Sequence, residues 1–217
     1  MTTLIFDTET TGLVDPELVS AAWLRLDEPG SLQVTESFDQ LYRPSKPISL
    51  GALAIHNIMD EDLADCPPAA SFALPADTEY LIGHNVDFDW GVIGKPDLKR
   101  IDTLCLCRKL WPEADAHTQS AMLYLLERPT ARERLRDVHS AAADVQVCLT
   151  ILSHVLERIA TSTWEELWIA SEEARVPELM PFGKHKGLPI QEVPADYKRW
   201  LLGQSDVDPY LVKALRA

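Results

Sequence analysis

The chain has 217 residues, 46% of them apolar and 25% charged, so it is long enough to bury a core and too apolar to be disordered. Its formal net charge of −14 argues against a protein that coats nucleic acid along its length, because such binding needs many Lys and Arg to displace counterions from phosphate. The length predicts one main domain with a small appendage.

The amino terminus runs directly into Leu4-Ile5-Phe6-Asp7 with no secretory stretch, and later apolar runs are too interrupted to span a bilayer. The expectation is a cytoplasmic protein with no membrane partner. Cys66, Cys105, Cys107 and Cys148 have no C-x-x-C spacing and read as free, mostly buried thiols.

Residues 2–7 form a short apolar run with a β-branched centre, bounded by Thr11-Gly12, which predicts a buried strand in mid-sheet. Residues 19–26 and 32–42 alternate apolar and polar around Pro29-Gly30 and predict a hairpin. Helical spacing follows over 50–58 and 60–64, until Pro67-Pro68 stops it before a fourth strand at Tyr80-Leu81-Ile82. A fifth strand is expected to end near Ile101, followed by helices around 103–110, 120–126 and 141–159. Strands that first pair as a meander and are then joined through helices predict an α/β fold: a mixed five-stranded sheet with helices on both faces. An acidic helical segment over 164–174 precedes Met180-Pro181-Phe182-Gly183-Lys184-His185-Lys186-Gly187, where the composition turns basic and glycine-rich. The expected organisation is a main domain over 1–160, a linker or helix over 161–178 and a small basic module of hairpin and helices over 179–217.

Asp7 and Glu9 are two apart at the end of the first strand, so both carboxylates point to one side. Two carboxylates about 4 Å apart repel by roughly 4 kcal/mol at an effective dielectric near 20, so a buried pair implies a cation or a proton. A third acid, Asp89, preferred over Asp87, follows the fourth strand where it feeds a helix. His139 and Asp144 open the long helix, with Ser140 as its cap and three alanines that let it approach the sheet. Four hard oxygen donors and one titratable base near strand ends suit two divalent ions clamping a phosphodiester, with neutral His139 taking a proton from water.

Asp7-Thr8-Glu9-Thr10-Thr11-Gly12, His84-Asn85-Val86-Asp87-Phe88-Asp89 and His139 with Asp144 occur in the order and spacing of the three motifs of the DEDDh exonucleases of the DnaQ-like, ribonuclease H-like fold, which the chain closely resembles. Ala54-Ile55-His56-Asn57-Ile58 is similar to the family's segment before the second motif, although glycine is commoner at the Asn57 position. Arg108-Lys109-Leu110-Trp111-Pro112 and Phe182 to Gly187 resemble segments at similar places in a bacterial member of the family, which extends the likeness over nearly the whole chain. The resemblance implies a 3′→5′ exonuclease in which Asp7, Glu9, Asp89 and Asp144 hold two Mg²⁺ ions, with Mn²⁺ as a substitute, and His139 is the base. It further implies that Thr10, Thr11, Leu13, His56, His84 and Asn85 receive the terminal nucleotides. Lys184 and Lys186 read either as solvated residues of a tight hairpin or as phosphate contacts. DNA ends, in repair, are the expected substrate; RNA ends, or work as a proofreading subunit bound to a polymerase, are the alternatives, and a homodimer stays open.

Overall fold

The computed structural model describes residues 2–136 and 140–217. Five strands, β1 (Thr2–Thr10), β2 (Leu18–Leu26), β3 (Val34–Leu41), β4 (Thr78–Gly83) and β5 (Lys99–Asp102), form one sheet in the order β3-β2-β1-β4-β5. β1 runs antiparallel to β2 and parallel to β4, so the sheet is mixed. A parallel neighbour cannot follow through a tight turn. The crossover to β4 therefore carries α1 (Leu50–His56) and two 3-10 turns, and α2 (Val86–Val92) joins β4 to β5.

A central strand must be apolar on both faces, and Leu4, Ile5 and Phe6 are almost wholly buried. On one face Leu4 and Phe6 pack with Trp23, Leu81 and Val86 of α2, under the partly buried ring of Phe72. On the other, α6 (Ala141–Arg158) crosses β1 and β2; it follows α3 (Thr103–Leu110), α4 (Gln119–Leu126) and α5 (Arg128–Arg134). Val145, Cys148, Ile151, Leu152 and Val155 form its buried stripe at helical spacing. Burying an aliphatic side chain of this size contributes about 1.5–3 kcal/mol, so the stripe is what holds α6 to the sheet.

The following helix, α7 (Trp164–Ala174), is tied to the sheet edge. Lys99 Nζ donates to Glu165 Oε2 at 2.5 Å and to Tyr80 Oη at 3.2 Å, and the Asp102 N–H donates to Ser171 Oγ at 2.8 Å. Both charges are open to solvent, which screens them, so the ion pair orients more than it stabilises.

The sheet and most of the helices lie where the sequence predicts them, with three departures. β2 is buried along nearly its whole length rather than on alternate residues, because Ser20, Ala21 and Ala22 are small enough to lie between α6 and the 3-10 turn at residues 69–71. Residues 60–63 make a 3-10 turn rather than a helix. α5 was not expected, since Pro129 and three arginines obscure its spacing; Pro129 sits in the first turn, where a missing N–H costs nothing. All four cysteines are free, and no described helix is long and apolar enough to cross a membrane.

The chain divides into two compact units, the second being Glu172–Ala217. That unit has its own core of Met180, Ile190, Val193, Leu201, Leu211 and Leu215. It contains α8 (Ala195–Leu202), α9 (Pro209–Arg216) and a hairpin-like loop closed by Met180 N–H to Leu188 C=O and Gly187 N–H to Met180 C=O, both 2.8 Å.

Candidate active site

Asp7 and Glu9 project from the same face of β1, and the residues beside them on β2 in the register are Ala22 and Ser20. Small neighbours leave the carboxylates room to meet what α6 brings. Ser140 caps α6, its Oγ accepting from Ala143 N–H at 3.3 Å, and the Asp144 N–H donates to the Ser140 carbonyl at 3.0 Å. The cap fixes the first turn, where a carboxylate is favoured by the helix dipole, and aims Asp144 at the strand. Carboxylate oxygens of Asp7, Glu9 and Asp144 all lie within 4.8 Å of one another.

Asp89 is held from the other face. Thr8, between the two acids and pointing the opposite way, gives both its N–H (2.9 Å) and its hydroxyl (2.6 Å) to Asp89 Oδ1. Asp89 is buried, whereas Asp87 is ion-paired with Arg100. Asp89 is not part of the compact trio, but its charge reaches Asp7 and Glu9.

The electrostatics follow from this crowding. Burial, then the charges of Asp89, Asp144 and Glu9, push the Asp7 carboxyl well above the usual carboxylate range. Burial, then Asp144 and Asp89, push Glu9 up to about 8. Burial raises Asp89 to about 7 against the opposing hydrogen bonds from Thr8. Asp7, Glu9 and Asp89 resist ionisation because burial and neighbouring carboxylates both disfavour a further negative charge. Hard, anionic oxygens gathered this closely fit one or more divalent cations. His139 lies outside the described residues.

Beside the acids is a cavity of about 440 Å³ lined by Glu9, Thr10, Leu13, Ser49, Ile55, His56 and Phe88, among others. Leu13 is 85% exposed at its mouth. The loop that carries Leu13 turns at Gly12 (φ +147°), where a Cβ would stand 2.8 Å from Ser49 Oγ, so only glycine fits. His56 Nδ1 accepts from Ile58 N–H at 3.0 Å, which leaves Nε2 carrying the proton it donates to the Thr10 carbonyl at 3.2 Å. Burial lowers the His56 pKa, consistent with this neutral form.

Of the residues expected to receive nucleotides, Thr10, Leu13 and His56 line this cavity, and the other three do not. Thr11 is buried, and its hydroxyl accepts from Glu17 N–H at 3.1 Å, holding the base of the loop. His84 turns inward, with its ring nitrogens on Thr103 Oγ1 (3.0 Å) and the His117 carbonyl (2.6 Å). Asn85 is exposed at φ +75° and donates its N–H to Asp102 Oδ1 at 3.1 Å. These three shape the elements that carry the acids. Sequence reasoning assigned no part to Thr8, Ser49 or Phe88, although Phe88 lies one residue before Asp89 inside a recognised motif. Lys184 and Lys186 belong to the second unit.

No protein-family model matches the sequence. Exodeoxyribonuclease 10 of Escherichia coli K12 is 29% identical over 210 residues, which span 93% of this chain and 91% of that protein. DNA polymerase III subunit epsilon of Buchnera aphidicola is 30% identical over 164 residues, covering 65% of this chain and 67% of the relative. Among solved structures, Exonuclease X in complex with 5′ overhanging duplex DNA superposes with a TM-score of 0.59 at 25% identity, over 76% of this chain and 99% of that one.

Proposed function

Because the chain belongs to the DEDDh family of DnaQ-like exonucleases, we propose that it is a 3′→5′ exodeoxyribonuclease that hydrolyses phosphodiesters at DNA 3′ ends with two Mg²⁺ ions, and that it acts on cytoplasmic DNA in repair. The observation that carries this reading is the meeting of Asp7, Glu9 and Asp144, from two distant segments, in one group of carboxylates. Asp89 joins them through Thr8.

Asp7, Glu9, Asp89 and Asp144 would hold the ions, which when bound supply the charge that polarises the scissile phosphate and eases loss of a proton from the attacking water. Thr8 keeps one Asp89 oxygen fixed by two hydrogen bonds and so orients the other. His139, by its place in the third motif, takes the water's proton on an imidazole nitrogen. The cavity receives the terminal nucleoside, with Leu13 against a base and the Nε2–H of His56 holding the Thr10 carbonyl in place. Nothing lining the cavity selects a sugar through a 2′-hydroxyl in an evident way, so preference for DNA rests on the likeness to the E. coli exodeoxyribonuclease.

The test is a time course on DNA and RNA oligonucleotides labelled at the 3′ or the 5′ end, with Mg²⁺ and with EDTA. Immediate release of the 3′ label from DNA, only with Mg²⁺, is expected. Faster digestion of RNA makes the chain a ribonuclease of the same family, and activity only after adding a polymerase makes it a proofreading subunit.

A further inference from the structure

The second unit leaves large aromatic surface in water. Trp200, on α8, is 56% exposed, and Phe182, in the loop closed by Met180 and Leu188, is 45% exposed. Exposed rings of this size mark a surface meant to be covered. Trp200 is also the end of a short series of rings: its centroid is 5.3 Å from Tyr197, and Tyr197 is 4.7 Å from His185.

The loop meets this series closely by construction. Gly183 stands at φ +73°, and a Cβ there would be 2.5 Å from Tyr197 Oη, so the approach depends on glycine. It brings Lys184 Nζ within 5.2 Å of the Tyr197 ring centroid, and Lys186 follows in the same exposed loop. Neither lysine pairs with a carboxylate among the described residues. Between 180 and 200 the chain has Lys184, Lys186, Lys198 and Arg199 against Glu192 and Asp196, a local excess of positive charge in a protein of net charge −14.

We propose that this face of the second unit is a docking surface for single-stranded DNA, with an unpaired base stacked on Trp200, which Tyr197 supports from behind, and phosphates neutralised by Lys184 and Lys186. A flat π-face beside an exposed lysine matches the alternation of base and phosphate in an unpaired strand. A duplex hides its base faces everywhere except at its ends, so along its length it offers the ring nothing to stack on. The surface consists of second-unit residues alone and stands whether or not the carboxylate site cleaves the strand.

The full chain in EDTA, where cleavage stops, is titrated into a fluorescein-labelled oligo-dT of about twenty nucleotides and followed by anisotropy. Trp200→Ala is expected to weaken binding about tenfold, the loss of one stacked base. Trp200→Phe, which keeps a ring, should bind close to the wild type. Lys184→Ala with Lys186→Ala should weaken binding and flatten its salt dependence with the rings intact, a readout that survives even if Trp200→Ala folds poorly. Wild-type affinity in the alanine variants, or equal competition by a blunt duplex of the same length, overturns the proposal.

Discussion

The first unit contains 13 Lys and Arg against 27 Asp and Glu, whereas the second contains seven of each, so the whole excess of negative charge belongs to the unit with the carboxylate group. In the first unit, carboxylates are pressed together with their ionisation suppressed; in the second, aromatic rings stand in water beside lysines that pair with no carboxylate among the described residues. Each arrangement is unfavourable for an isolated protein and sensible for one that binds a ligand. Net charge taken over the whole chain hides this, because it adds an anionic metal-type site to a locally basic surface. Function is legible where the ordinary preferences of charge and burial are broken.

The strongest way to break the contrast is at the acids. Asp7→Asn or Asp144→Asn should lower metal-dependent cleavage by at least about 10³-fold, the scale of losing an electrostatic stabiliser at a reacting centre. The same variants should melt higher than the wild type in EDTA, because one of the mutually repelling charges is gone. An active variant, or one that melts lower in EDTA, would contradict the crowded site. His139→Ala comes next: kcat should fall by about 10²–10⁴-fold with little change in DNA affinity, and an unchanged kcat at neutral pH removes the base from the mechanism.

The pH dependence of stability sharpens the contrast without any substrate. Glu9 titrates near 8 and Asp89 near 7 in the folded chain, above their values when unfolded, so the folded state binds more protons. Below the unfolded value of about 4 both states are protonated and no penalty exists; as pH rises from there to about 8 the folded chain is progressively destabilised. Thermal melts in EDTA should therefore shift downward between pH 5 and pH 8, and Mg²⁺ should remove most of the shift. A melt that ignores both pH and Mg²⁺ would mean the acids are not crowded. The smallest effect concerns salt. With so few phosphate contacts, log affinity for single-stranded DNA should fall with log salt at a shallow slope, about −0.7 for each phosphate neutralised, and a slope far steeper would reveal a basic track elsewhere on the chain.

Much of the first unit could be read from residue spacing alone. The alternation of strand side chains puts Asp7 and Glu9 on one face in any strand, and Ser140 ahead of three alanines announces a capped helix that can lie close to a sheet. β2 misled because spacing reports which residues are polar, not how many faces a neighbour covers. Ser20 and Ala22 are buried through the packing of α6, which comes more than a hundred residues later. Motif likeness could not separate the side chains that line the cavity from those that brace it. His84 and Thr11 share the motifs of Asp89 and Thr10, yet their polar atoms are already bonded within the protein.

The sequence by itself determined the strands and most of the helices, the acids that come forward as candidates and the chemistry their oxygen donors favour, because these follow from local geometry and side-chain type. Only the tertiary structure decided that Asp144 meets Asp7 and Glu9, that Thr8 clamps Asp89, and that Gly183 brings Lys184 over Tyr197. Those are contacts between residues far apart in the chain, and their distances are set by how helices and loops pack, which no local pattern encodes.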